Sequence, residues 1–544
     1  MYKIVFFICM VAPFISWGKV TTFDSDECSN SIYRSWWDVQ HYDLHLNLIP
    51  GKPKVKGNTI IRAKVIETPK DSLQIDLQNP LKISSVKYGN KSLKFYRKDN
   101  HYFVVGDFKQ LKKGEVFELV INYSGTPRIA KNAPWDGGFV LDTSANGKPW
   151  MAVACQGIGA SSWWPCKDFA GDEPDLGVDV FYETSSKLTA IGNGRLIESI
   201  KKGSKIISHW RVVNPINLYD VTFYIGDYAH WSDTLNGEKG VLNLDYYVLR
   251  ENLDRAKLQF AVVKQMIHCF EFWLGPYPFY EDGYKLVESP YLGMEHQSAV
   301  AYGNDYKMGY YGMDRSQTGV GLLFDFIIVH ESAHEWFGNS ISANDVAYSW
   351  IQEGFTTYCE SIFTECAFGK EQATKYQLGQ WNIISNKSPI EGVVDMCDGG
   401  SVDQYEKAAA IIHMIRQVIN DDQEFRQLLR ALNKTFYYKT VNGPTVERFI
   451  NDFTKHDFTQ VFNQYLRTVQ IPRLAFKMND STLSYRWDNT IDEFDMPVLV
   501  QIDETDNWLH PTNAWQELKL NIAIDLKTQI KINPNFLVRK KVVE

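Results

Sequence analysis

The sequence predicts a multidomain α+β protein: a β-rich N-terminal region, an α-rich middle and a small C-terminal β region. Three observations predict it. Tyr42, Leu44, Leu46 and Leu48 alternate with Asp43, His45 and Asn47, the period of a half-buried strand. From Asp254 onward apolar residues recur at helical spacing instead. After Pro472 the alternation returns. The 544 residues, 44% hydrophobic, are enough for several buried cores, and a net charge of −8 without a long Lys/Arg run speaks against nucleic-acid or anionic-membrane partners.

The N-terminus places one cation, Lys3, before an apolar run from Ile4 to Ile15, with the small residues Ser16 and Gly18 at cleavage positions. This is the pattern of a signal peptide over residues 1–18, and it predicts a secreted or periplasmic protein with no stable membrane insertion of the mature chain. An N-terminal membrane anchor is the alternative, and the short apolar run argues against it.

Residues 19–235 read as the β domain. Its strands are punctuated by the turn signals Pro50-Gly51, Gly89-Asn90, Gly125-Thr126-Pro127 and Gly192-Asn193-Gly194. Residues 236–470 read as the α-rich domain. One helix is predicted from Asp254 to Leu274, stopped by Gly275-Pro276, and a second from Thr318 to Phe337. A third is predicted after Ser349, with Gln352 completing a capping box, and a fourth after Ser401 and Gln404 on the same pattern. The fourth carries Ile411, Ile412, Ile415 and Ile419 on one stripe. Residues 471–544 return to alternation at Leu483/Tyr485/Trp487, Val498/Val500/Ile502 and Leu518/Leu520/Ile522. Eight cysteines stand at 9, 28, 155, 166, 269, 359, 366 and 397. They form no disulfide framework; one or two bridges are expected, with Cys155 and Cys166 candidates for pairing or for burial.

The second helix contains His330-Glu331-Ser332-Ala333-His334. Residues four apart project from one helical face, so the two imidazoles can share one cation, with Glu331 between them as general base. The preceding run Phe326-Ile327-Ile328-Val329 is apolar, a poor place for two surface histidines. Glu353, nineteen positions after His334, supplies a third ligand from the start of the next helix. Three protein ligands leave a fourth position for water, the arrangement of one catalytic zinc ion. Glu360 lies seven residues further on the same face; it either orients a ligand histidine or is a solvated helix residue.

The segment HESAHEWFGN followed by WIQEGFTTYCE resembles the gluzincin aminopeptidase family, which includes the alanyl and membrane aminopeptidases and the leukotriene hydrolase. Trp336, Gly338 and Asn339 match, as do Tyr42-Asp43-Leu44, Gln156, Pro165-Cys166, Asp172-Glu173-Pro174, Gly293-Met294-Glu295 and Tyr405-Glu406-Lys407, in the family's order. The resemblance implies a thermolysin-like catalytic domain between a β-rich N-terminal domain and a small C-terminal β-sandwich. It implies zinc ligation by His330, His334 and Glu353, Glu331 as base and Tyr405 as hydrogen-bond donor to the oxyanion. Glu295 would grip the substrate's free α-amine, assisted by Gln156, with Gly293 and Met294 beside the substrate. Gly293, lacking a side chain, would let the substrate backbone approach closely. The implied reaction removes the N-terminal residue from peptides with a free α-amine. Endopeptidase action, another substrate for the same zinc site, and a non-enzymatic scaffold are the alternatives.

The chain departs from the family pattern at four places. His296 stands where the family has Asn, and Leu292 replaces a small residue, which bears on substrate alignment. Ala408 replaces a Gly, and Ser332 replaces an apolar residue, with its hydroxyl expected to bond backbone. No room remains for the family's large helical C-terminal domain, so the site is expected to be more open or closed by a partner chain.

Overall fold

A computed structural model describes residues 28–543; the expected signal peptide over residues 1–18 lies outside the described residues. Among the described residues no helix is long and apolar enough to cross a membrane.

The N-terminal part is built on a ten-stranded sheet. Its central strand, Trp37–Leu48, pairs antiparallel with Val55–Val65 and parallel with Val178–Ser185. Tyr42, Leu44, Leu46 and Leu48 are buried while Asp43, His45 and Asn47 are half-buried, as their alternation predicts. A four-stranded sheet in the order Thr189–Gly192, Phe223–Gly226, Pro149–Ala154, Gly138–Thr143 completes this part. Both sheets share one apolar core in which Trp36, Trp37, Trp163 and Trp164 are fully enclosed.

A five-stranded sheet follows, from Tyr228–Gly237 through Gly240–Leu249, Tyr284–Glu288 and Val300–Tyr302 to Gly293–Met294 at its edge. The helices pack beside it. Val263–Leu274 ends at Gly275, whose φ of 101° is a conformation open to glycine. The helix expected from Thr318 to Phe337 is shorter, spanning Phe326–Ala333. Asp325 sets its start, accepting hydrogen bonds from the backbone N–H groups of Ile327 and Ile328. Ahead of it lies only a 3-10 turn at Val320–Leu322. The helix Trp350–Phe368 does not use the predicted capping box, because Ser349 is itself helical and donates to the Val346 carbonyl. A 3-10 turn at Val346–Tyr348, capped by Asp345, leads into it instead. Ser401 caps a 3-10 turn at Val402–Gln404, and the α-helix begins only at Glu406.

The C-terminal strands form sheets of four and three. Their inner residues, including Leu474, Phe476, Trp487 and Phe494, join the same apolar core as the helices. The disulfides are Cys28–Cys397 and Cys269–Cys366. Cys155 and Cys166 are both buried and unpaired, so of the two expectations for them burial is the outcome.

Candidate metal centre

The Phe326–Ala333 helix carries His330 and Glu331, and His334 follows at its C-terminal end. Glu353 lies in the first turn of Trp350–Phe368, and its carboxylate faces both imidazoles. Its Oε2 is 3.6 Å from His330 Nε2 and 3.4 Å from His334 Nε2. All three side chains are buried.

The hydrogen bonds on the far side of each ring fix what these atoms offer. His330 Nδ1 lies 2.7 Å from Glu360 Oε1, and His334 Nδ1 lies 2.9 Å from the Phe337 carbonyl. Carboxylate and carbonyl only accept, so each Nδ1 carries the proton and each Nε2 turns a lone pair inward. Glu353 Oε2 is buried without a hydrogen-bond partner. Three electron-rich atoms thus converge in a buried space with no proton between them, which is unstable without a cation. Two imidazoles and one carboxylate, all ligand atoms within 4.8 Å of one another, fit one zinc ion with an open position.

Of the two readings of Glu360, the structure selects the orienting one. Besides facing His330, it accepts hydrogen bonds from the Tyr376 hydroxyl and Gln380 amide on Oε2, each at 2.7 Å. Tyr376 and Gln380 had no signal in the sequence, since both come from the following helix, Lys370–Gln380.

Glu295 follows the edge strand Gly293–Met294 and is buried. Its Oε1 accepts from the Gln156 amide and, at 3.1 Å, from the Tyr219 hydroxyl. One ligand-type atom each of Glu295, Glu331 and His334 lies within 4.8 Å of one another, so this carboxylate borders the metal centre. Tyr219 belongs to a 3-10 turn capped by Asn217 and carried no sequence signal. Asn339 holds the segment from behind, its amide donating to the Glu295 carbonyl at 2.8 Å. Burial and the neighbouring Glu295 carboxylate push Glu331 up to about 7, against the two histidines.

Gly293 has a steric role besides the substrate approach expected of it. A Cβ there would lie 2.6 Å from Glu331 Oε1 and 2.9 Å from Ile327 Cγ2. Its missing side chain makes room for Glu331. Gly338 has φ of +126°, and a Cβ on it would sit 3.0 Å from His334 Nδ1. Met294 is buried in the N-terminal core. Tyr405 is half-buried at the junction of the 3-10 turn and the Glu406–Ile419 helix, its ring 6.1 Å from that of His330. Burial, reinforced by nearby carboxylates, raises its phenol well above the usual range, so it stays a donor.

The departures from the family pattern find places. His296 is fully buried with Nδ1 2.7 Å from the Tyr224 hydroxyl, and burial lowers it to about 3, a neutral packing residue. Leu292 is buried in the catalytic core. The Ala408 methyl lies 2.6 Å from where a Cβ on Gly354 would be, so the alanine fits because residue 354 is glycine. Ser332 does not bond backbone as expected; its hydroxyl meets that of Tyr284 at 2.8 Å. Of the N-terminal residues named with Gln156, Asp172 pairs with Lys167 and Cys166 is enclosed in the core. Burial pushes Glu173 up to about 7, against the lowering influence of Ser342 and Asn217.

Residues 259–465 match the Peptidase family M1 domain, and residues 38–219 match the Peptidase M1 N-terminal domain. The chain is 23% identical to leukotriene A-4 hydrolase of Xenopus laevis over 77% of its own length and 69% of that protein. It is 22% identical to aminopeptidase N of Lactobacillus helveticus over 82% of its length and 52% of that protein. It therefore spans about half the length of that aminopeptidase. A crystal structure of an M1 zinc metallopeptidase from Deinococcus radiodurans superposes with a TM-score of 0.69 at 19% identity, covering 82% of this chain and 97% of that one.

Proposed function

The chain belongs to peptidase family M1, and on that premise we propose that it is a zinc-dependent aminopeptidase removing the N-terminal residue from peptides with a free α-amine. The observation that carries this reading is the position of Glu295. A buried carboxylate bordering both the metal ligands and Glu331 can pair with an ammonium group and no longer chain. It would hold the first peptide bond, and no later one, over the metal. Gln156 and Tyr219 both donate to Glu295 Oε1 and so aim the carboxylate.

His330, His334 and Glu353 would hold the zinc, which when bound polarises the scissile carbonyl and lowers the pKa of water. Glu331 takes the proton from the attacking water and passes it to the leaving amine. Burial favours the protonated form of Glu331, which helps it accept the proton before passing it on. Tyr405 donates its phenolic proton in a hydrogen bond to the oxygen that gains charge. Glu360 keeps His330 in the tautomer and orientation the metal needs. The expected setting is outside the cytoplasm, from the signal-like N-terminus, and the two disulfides are compatible with an oxidising compartment.

The test is cleavage of amino-acid amides and short peptides with free and acetylated N-termini, before and after chelation and zinc return. Cleavage of the free forms alone, lost to chelator and regained with zinc, is the expected result. Equal cleavage of acetylated peptides would remove the role given to Glu295. No cleavage by protein that holds zinc would favour a scaffold.

A further inference from the structure

A cavity of about 620 Å³ opens beside the metal centre, between the N-terminal sheets and the helices. Its volume is that of a ligand pocket. Gln156, Tyr219, Gln352 and Glu353 form its inner wall, which is the amine-binding side of the centre. A peptide whose amine sits at Glu295 sends its leaving portion away from the amine, beyond the scissile carbonyl. The space on the amine side is left for the side chain of the first residue.

The charge in this cavity is one-sided. Asp76, Asp168, Asp345, Glu353 and Asp398 line it, and no Lys or Arg is among the described lining residues. Asp76 is offset by Arg34 at 2.9 Å and His101 at 2.8 Å, and Glu353 serves the metal. Asp168 lies in the field of the same Arg34, whereas Asp345 and Asp398 have no cationic partner among the described residues. Their contacts are backbone N–H groups: Ser161 for Asp168, Ala347 and Asp395 for Asp345, and Val393 and Gly400 for Asp398. Those bonds orient the carboxylates and favour their charged form, against the burial that raises Asp168 and Asp345. A further acceptor is left over: Gln404, only 9% exposed and next to Tyr405, lines the cavity with its Oε1 unpartnered. Oriented carboxylates and a spare amide oxygen are what a long cationic side chain requires.

We infer that this cavity receives the side chain of the substrate's first residue and selects a cationic one, lysine or arginine. The inference rests on the aminopeptidase reading and narrows its substrate class. Asp398 directly follows Cys397, which is tied to Cys28, and Asp345 accepts from the backbone N–H of Asp395 in the same loop, so the disulfide holds part of the charged wall in place.

Arginine and lysine amides should be cleaved with kcat/KM roughly tenfold above their uncharged isosteres, citrulline and norleucine amides, at low salt. Raising the salt from about 10 mM to 500 mM should erode that lead, because the Debye length shrinks well below the cavity's dimensions, and should leave the isosteres unchanged. Asp398→Asn should reduce the lead of the arginine amide over the citrulline amide severalfold in kcat/KM. The salt series on the unaltered enzyme needs no variant to fold. Equal rates for charged and uncharged isosteres, or a lead insensitive to both salt and Asp398→Asn, would overturn the inference and leave the aminopeptidase reading intact. Failure to cleave any of the four amides by zinc-loaded protein would overturn both.

Discussion

Replacing Gly293 by alanine separates the placement of the base from its chemistry. The new Cβ would stand 2.6 Å from Glu331 Oε1 and 3.0 Å from Glu331 Cγ, where ordinary contact begins at 3.4 Å. The carboxylate must therefore retreat by about 0.8 Å, the difference between 3.4 and 2.6 Å. It can do so, being the end of a flexible side chain, so overpacking should cost only about 1–2 kcal/mol of stability. Catalysis is less tolerant, since a misplacement near 1 Å costs on the order of 100-fold. We expect kcat to fall roughly 10- to 100-fold, equivalent to about 1.4–2.7 kcal/mol of barrier. Zinc content should stay near the unaltered value, because the three nearest atoms to the new Cβ belong to Glu331 and Ile327 and not to a ligand. The assay is steady-state kinetics on an amino-acid amide beside metal analysis, with Glu331→Gln as the floor. A kcat within twofold of the parent would refute the placement of Glu331 against Gly293. Loss of zinc in step with activity would show that Gly293 acts through the metal helix instead.

Three further outcomes follow from the same geometry. Glu360→Gln removes the charge behind His330 and should weaken zinc binding by about 10- to 100-fold in chelator competition, with excess zinc restoring most of the activity; unchanged affinity would return Glu360 to a packing role. Tyr405→Phe should lower kcat by about 100-fold with little change in KM, as for loss of one oxyanion donor, and an unaltered kcat would take Tyr405 out of the reaction. Burial opposes protonation of His41, but Asp179 and Asp43 raise it to about 9 in the folded chain. Its folded pKa is above the unfolded value, so its contribution is full below about pH 6.5 and is lost as the pH rises through 9. The thermal midpoint should fall across that window and fall less in His41→Gln, and identical slopes for the two proteins would show that His41 is not the group responsible.

Local periodicity carried most of the secondary structure. Alternation at residues 42–48 became a strand with the predicted face buried, and the stripe Ile411, Ile412, Ile415 and Ile419 became a buried helix face. Helix ends were read less well. Asp325 marks the true start of the metal helix, although the helix predicted from Thr318 to Phe337 put it in the interior. Ser349 has the composition of a cap, yet an upstream 3-10 turn capped by Asp345 had already begun the helical path. In each case a short polar side chain had two backbone partners within reach, and the choice between them depends on how the chain enters.

What the sequence determined by itself lies within a few turns of one chain segment. The spacing of His330 and His334 places both rings on one face, and the apolar residues before them ensure that the face is buried. What only the tertiary structure decided are contacts between distant segments. Gln156 and Tyr219 meet Glu295 from turns of the N-terminal part, Glu331 fills the space left by Gly293, and Cys28 reaches Cys397 across 369 positions. Spacing says nothing about such pairs. Backbone periodicity fixes direction only along one element, and the meeting of two elements is settled by how their apolar faces pack, a property of the folded core as a whole.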